Sequence, residues 1–222
     1  MDKNTLAGYL DLANHHQDVT DNDIKHLCED VLKWGFNGAF INPCYVALAK
    51  SHLLGRAKVG TVVSFPLGQE TLEIKLQTAA RAIRDGADEL DVSLNIAHFK
   101  SGQWERAEEE AKEIVSLVKS QKEVLVKFII ETGCLDQEEI KKASRLVADS
   151  GADFVKTSSG WGPRGASLED IDLIKGVVGD KVKIKAAGGV DTYQEAVAFI
   201  EKGVARIGTS HAVAIIEGSK GV

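Results

Sequence analysis

Cysteine and proline are scarce in this 222-residue chain, at three residues each, and methionine occurs once. The cysteines, Cys28, Cys44 and Cys134, are odd in number, widely spaced and form no CxxC pair. That pattern excludes a disulfide framework or a cysteine zinc site and suits a reducing compartment. Positive charge is also in deficit, with 27 Lys and Arg against 33 Asp and Glu and a formal net charge of -6. Such a balance argues against non-specific binding to nucleic acid or to acidic membranes. It leaves room for a small anionic substrate, because a few local donors can hold a phosphate inside an acidic protein. The opening MDKNTLAGYLDLANHH lacks a basic stretch followed by an apolar run of signal-peptide length, and no apolar segment reaches transmembrane length. A cytoplasmic location with no membrane partner is the resulting expectation.

What is abundant is a recurring junction: a helical pattern, a glycine, then a short apolar run. It appears as LKWGFNGAFIN, IRDGADELDVSLN, VADSGADFVKTSS and IEKGVARIGTS, around Gly35, Gly86, Gly151 and Gly203. The intervals each hold about two strand-plus-helix units of ~30 residues. Glycine belongs there because a helix that stops and turns into a strand needs a residue tolerating positive φ. Apolar runs fall near residues 7–13, 38–42, 58–65, 89–95, 123–131, 153–158, 182–187 and 205–209. Most are Val/Ile-rich and nearly continuous, as parallel strands buried on both faces should be. Between them, segments such as DNDIKHLCEDVLKW, QWERAEEEAKEIVSLVKS and LDQEEIKKASRLVAD carry apolar residues at spacings of three and four. Thr20 and Ser167 read as helix N-caps. The pattern predicts one (β/α)8 TIM barrel domain over residues 1–222. A doubly wound open sheet would place a glycine-rich phosphate loop after the first strand, where this chain has ANHHQDVT.

Barrel chemistry sits at the C-terminal ends of the strands. The polar residues interrupting the apolar runs there are Asp91, Lys127, Glu131, Lys156 and Lys185. Lys156 and Lys185 fall on the predicted sixth and seventh strands, where two ammonium groups in a low-dielectric interior lower each other's pKa. A lysine that is partly neutral near pH 7 can attack a carbonyl and form an imine, with Asp91 as a nearby proton carrier. Lys127 reads as structural, with Glu131 as its possible partner, and Lys183 as lying on the Lys185 face nearer the barrel bottom. Gly188-Gly189 after strand seven and Gly208-Thr209-Ser210 after strand eight occupy the habitual phosphate position of this fold. His15 and His16 are adjacent, with no ligand spacing nearby, and read as solvent-facing or substrate-adjacent rather than as metal ligands. Neither a metal nor another cofactor is expected.

VKTSSGWG around Lys156, VKIKAAGGVDT around Lys185, GADELDVSLNI around Asp91, FPLG at 65–68, KFIIETGCL at 127–135 and ARIGTS at 205–210 together resemble the deoxyribose-phosphate aldolase family. The resemblance runs over nearly the whole chain. It implies a metal-free class I aldolase that reversibly cleaves 2-deoxy-D-ribose 5-phosphate into D-glyceraldehyde 3-phosphate and acetaldehyde. It implies Lys156 as the Schiff-base lysine, Lys185 as the neighbour lowering its pKa, and Asp91 as the acid of a proton relay through water. Gly160, Gly188, Gly189 and Ser210 match the phosphate-holding positions, and Asp11 matches an aspartate read as part of a hydroxyl-binding network. A homodimer is implied as well.

Several residues depart from the family pattern. Ala13 stands where a threonine is usual, Phe40 where many members have cysteine, and Asp191 where arginine is usual. The chain ends at GSKGV, without the C-terminal tyrosine of some members. Ala13 and Phe40 predict a less polar acceptor pocket. Two alternatives therefore stay open: a class I aldolase with a different acceptor aldehyde, and a sugar-phosphate-binding barrel without turnover. A metal-dependent class II aldolase would need a His/Asp/Glu ligand cluster that the sequence does not display.

Overall fold

Short Val/Ile-rich runs alternating with amphipathic segments yield eight parallel strands that close on themselves in sequence order. In the computed structural model, which describes residues 1–121 and 123–219, the strands are β1 (Leu10–Asn14), β2 (Gly38–Ile41), β3 (Lys58–Val63), β4 (Glu89–Ser93), β5 (Leu125–Ile129), β6 (Phe154–Lys156), β7 (Lys183–Ala187) and β8 (Arg206–Thr209). β1 pairs with β8 in parallel and completes the (β/α)8 barrel. Lys220, Gly221 and Val222, the end of the GSKGV segment, lie outside the described residues.

The connecting helices are α1 (Lys3–Ala7), α2 (Asp21–Trp34), α3 (Val46–Leu53), α4 (Leu72–Asp85), α5 (Ile96–Lys100), α6 (Trp104–Gln121), α7 (Gln137–Asp149), α8 (Leu168–Val178), α9 (Tyr193–Glu201) and α10 (Ala212–Gly218). One boundary differs from expectation. Ala7, placed in the first apolar run, ends α1, whose N-cap Asp2 accepts from the Thr5 N–H, and the strand starts only at Leu10. Thr20 and Ser167 cap α2 and α8, each in a capping box closed by Asp23 and Asp170 respectively. The four junction glycines all have positive φ.

Two different interiors result. Between the sheet and the helices lies an aliphatic layer that includes Leu10, Val59, Leu90, Val126, Val155, Ile184 and Ile207. Inside the barrel, buried charges take the place of the usual branched aliphatics: Asp11, Glu89, Asp91, Lys127, Lys156 and Lys185 are all at most 5% exposed. An isolated buried ion costs several kcal/mol, so these groups persist only as partners of one another. Lys127 sits 2.5 Å from Glu89 Oε2 and 3.0 Å from Asp91 Oδ1. This corrects the expected Lys127–Glu131 pair. Four residues along a strand is about 13 Å, whereas the β4–β5 register places Asp91 directly beside Lys127. Glu131 turns away at φ 49° beyond the strand end. Lys183, at the exposed start of β7, lies at the barrel bottom as expected.

Replacing Lys127 by Met leaves Glu89 buried without a cation. We expect urea unfolding to report a loss of about 3–5 kcal/mol, partly regained in Lys127→Met/Glu89→Leu. An unchanged midpoint in the single variant contradicts this view of the interior.

Candidate active site

The loops following the strands surround a cavity of about 330 Å³ into which Lys156, Lys185, Asp91 and Phe40 all open. β6 and β7 are in register so that Lys156 and Lys185 are direct neighbours. They share one acceptor: Asp91 Oδ2 lies 2.7 Å from Lys156 Nζ and 2.9 Å from Lys185 Nζ. The other carboxylate oxygen of Asp91 takes Lys127. Sequence reading placed a carboxylate near the lysine pair; the structure shows it holding three ammonium groups at once.

The electrostatics follow from that arrangement. Burial lowers the Lys156 pKa most strongly, Asp91 raises it, and Lys185 lowers it again, leaving it at about 8. At pH 7 roughly one-tenth of the amine is then neutral, against a few parts in ten thousand at about 10.4. Burial also acts to raise Asp91, but the charges of Lys127, Lys156 and Lys185 outweigh it and hold the carboxyl well below its ordinary value. Lys127 goes the other way. Burial pulls it down, yet Asp91, Glu89 and Asp11 keep it above the normal lysine range, so it stays a cation.

Asp11 sits among charged and polar partners. It is fully buried and does not line the cavity. Its carboxylate lies 2.6 Å from Lys185 Nζ, accepts from Asn37 Nδ2 at 2.7 Å, and stands 3.9 Å from Arg206 Nε. Geometrically it props Lys185 from below rather than reaching a hydroxyl in the cavity. The paired histidines separate as well. His15 and His16 both line the cavity, but His15 packs on Phe65 with centroids 5.1 Å apart, while His16 meets the edge of Trp161 at 6.1 Å. Burial and the Lys156 charge push the His15 pKa down to about 3, so it is a neutral imidazole. Among the described residues no three His, Cys, Asp or Glu side chains gather as a metal-ligand set.

Gly160, Gly188, Gly189 and Ser210 line the same cavity, as the sequence pattern anticipated. Their N–H groups donate to no acceptor among the described residues. The two glycine loops touch backbone to backbone: a Cβ on Gly188 would meet the Gly160 and Gly165 Cα atoms at 3.2 Å, and one on Gly165 would meet the Gly188 carbonyl oxygen at 2.1 Å. Sequence reading passed over Gly165. It also missed the strut beneath that loop, in which Arg164 pairs with Asp170 at 2.6 Å and donates to the Thr132 carbonyl. Asp170 in turn accepts from the Thr132 hydroxyl at 2.9 Å. Glu131, freed from Lys127, accepts from the Ser159 N–H at 3.1 Å and fixes the loop start. Asp191 lines this end of the cavity too, with its carboxylate 3.0 Å from His211 Nδ1.

A parallel barrel carrying a carboxylate-linked lysine pair below a backbone-lined anion pocket has the features of a Schiff-base aldolase. Comparison with known proteins agrees. The pattern defining the DeoC/LacD family aldolases matches residues 5–214. Deoxyribose-phosphate aldolase of Caldicellulosiruptor saccharolyticus is 44% identical over 217 residues, covering 97% of this chain and 99% of that one. The enzyme of the same name from Thermococcus kodakarensis is 43% identical over 222 residues, 99% of both chains. The tetrameric deoxyribose phosphate aldolase of Aeropyrum pernix superposes with a TM-score of 0.91 at 29% identity, over 99% of this chain and 93% of that one. The chain belongs to the DeoC/LacD family of aldolases. Among the described residues no helix is long and apolar enough to cross a membrane.

Two outcomes follow. The neutral fraction of Lys156 rises with pH through about 8, so kcat/KM should climb along a limb near that pH. Because Lys185 lowers the Lys156 pKa, Lys185→Leu should move the limb to higher pH and cut the rate severely, and an unmoved limb would refute the coupling. In Gly165→Ala the added methyl meets the Gly188 carbonyl oxygen, so KM for a phosphorylated substrate should rise by about tenfold or more (from the loss of one charge-assisted hydrogen bond). An unaltered KM shows that the two loops are not mutually constrained.

Proposed function

We infer that this chain is a class I aldolase that reversibly cleaves 2-deoxy-D-ribose 5-phosphate to D-glyceraldehyde 3-phosphate and acetaldehyde, with Lys156 as the nucleophile. The observation carrying this reading is the Asp91 oxygen shared by Lys156 and Lys185, at 2.7 and 2.9 Å. It keeps Lys185 beside Lys156, where burial and then the Lys185 charge lower the Lys156 pKa against the opposing pull of Asp91, and it supplies an acceptor through which a proton can pass between the two nitrogens. The names of the relatives, at 43–44% identity over nearly the full length, point to the same substrate.

The steps are as follows. Neutral Lys156 Nζ adds to the C1 carbonyl of the open-chain sugar, its surplus proton moves by way of Asp91 Oδ2 to the new alkoxide, and a second proton, drawn from solvent and returned when the final imine is hydrolysed, lets the hydroxyl leave as water. The resulting protonated imine withdraws electrons as the C3 hydroxyl loses its proton and the C2–C3 bond breaks. Glyceraldehyde 3-phosphate departs, leaving an enamine on Lys156. A proton returns to C2, and water adds to the imine to release acetaldehyde and regenerate the amine. Lys185 acts on Lys156 as its neighbour, Asp91 stays ionised as the proton acceptor, and Asp11 orients Lys185. The phosphate lies against the N–H groups of Gly160, Gly188, Gly189 and Ser210, an anion site made of backbone donors.

A narrower variant of this reading draws support from Asp191. Its carboxylate shares the cavity with those loops, so an acceptor aldehyde bearing less negative charge than glyceraldehyde 3-phosphate would meet less repulsion. Acetaldehyde release from deoxyribose 5-phosphate and from unphosphorylated deoxyribose, measured side by side, separates the readings. The phosphorylated sugar should be favoured in kcat/KM by about 100-fold or more, from charge-assisted hydrogen bonds to the loops. Equal rates remove the phosphate assignment, and cleavage of neither sugar removes the substrate.

A further inference from the structure

Phe40 lines the cavity but does more than fill its wall. It is 1% exposed, yet it stands outside the aliphatic layer between sheet and helices. Its ring instead projects into the charged interior, where Lys185 Nζ lies 3.7 Å and Lys127 Nζ 4.6 Å from the ring centroid. Both ammonium groups also reach Asp91, one on each carboxylate oxygen. The ring therefore meets the two lysines that do not serve as nucleophile. It reaches them by leaning over Gly60, its direct partner on β3. A Cβ on Gly60 would fall 2.1 Å from a ring atom, so the glycine is what makes room for the aromatic plate.

We propose that Phe40 is a positioning residue of the reaction centre: its π face and the Asp91 carboxylate together hold the Lys185 ammonium against Lys156, and Gly60 is its obligate companion. The attraction of a cation to a ring face is strong where water is excluded, as it is here. Lys185 has a choice of carboxylates, Asp11 at 2.6 Å and Asp91 at 2.9 Å. It touches both at once, and the ring face at 3.7 Å closes a third side of the ammonium, fixing it where it shares Asp91 Oδ2 with Lys156. Held in place, Lys185 lowers the Lys156 pKa. The other charged or titratable groups facing this pair are Glu89 and Asp91 on β4, Lys127 on β5, Arg206 on β8 and His15 at the mouth. Of these, Lys127 also lies over the ring, at 4.6 Å, so the fluorine series weakens both cation contacts together. This role deepens the aldolase reading and rests on it for its effect on rate.

The test replaces Phe40 in the full-length chain, by site-specific incorporation, with phenylalanines carrying one, two and three fluorines. Fluorine drains the π face while nearly preserving shape. The Lys156 titration is followed in two ways: by competitive labelling with trace acetic anhydride and mass spectrometry, which needs no turnover, and by the pH profile of kcat/KM for deoxyribose 5-phosphate. Each added fluorine should move the Lys156 limb to higher pH and lower kcat/KM, on the order of tenfold across the series, while the melting temperature stays nearly constant. A companion pair separates packing from positioning. Gly60→Ala should lose both stability and rate, and Phe40→Leu/Gly60→Ala should regain stability without regaining rate. A limb that does not move across the fluorine series, or a rate that tracks melting temperature alone, overturns the proposal. If the limb moves but the parent protein cleaves no deoxyribose 5-phosphate, the positioning role stands and the substrate assignment falls.

Discussion

Three ammonium groups converge on one buried carboxylate, and the rest of the site follows from that. Asp91 takes Lys127 on one oxygen and both Lys156 and Lys185 on the other. Remove it, and three buried cations lose their common partner. Keep it, and the imbalance of charges around it decides which lysine becomes a nucleophile. Lys127 has Glu89 as a second carboxylate and Lys185 has Asp11. Lys156 has Asp91 alone among its ion pairs and stands at the cavity mouth. Lys156 has the fewest carboxylates of the three, and burial with the Lys185 charge outweighs Asp91 and holds its pKa down.

The barrel makes this possible by geometry rather than by any one strong contact. Parallel strands in register bring Asp91 beside Lys127 and Lys156 beside Lys185, although these residues are far apart in sequence. The aliphatic layer between sheet and helices provides the hydrophobic stabilisation, which frees the barrel axis for charges that would weaken a fold with only one core. The loops at the strand ends wall the cavity. They are held by backbone contacts between Gly165 and Gly188 and by the Arg164–Asp170–Thr132 strut below. Asp191 lines the same cavity as these loops.

Much of the fold was legible because its signals are local. Apolar runs, capping residues such as Thr20 and Ser167, and the glycines between helix and strand each depend on a few neighbouring residues. The lysine pair and Asp91 were legible because a charge within a Val/Ile run is anomalous wherever it occurs. Partnerships were harder, since they depend on register between strands. Glu131 looked like the partner of Lys127 by proximity in sequence, while the true partners are on the adjacent strand. A signal was present: Glu89 and Asp91 are two residues apart, so they share a strand face and had to face a common cation. The contacts of Asp11 with Lys185 and Asn37 likewise depend on how the strands come together. Phe40 read as part of an apolar acceptor pocket. Its contact with two ammonium groups became visible only with Gly60 beside it.

The central claim is that this charge arrangement selects Lys156 as the nucleophile. Incubation with acetaldehyde and borohydride, followed by peptide mapping, tests that choice directly. The account predicts one reduced adduct, on Lys156, forming fastest above pH 8. An adduct on Lys185 instead, or labelling confined to surface lysines, would contradict it.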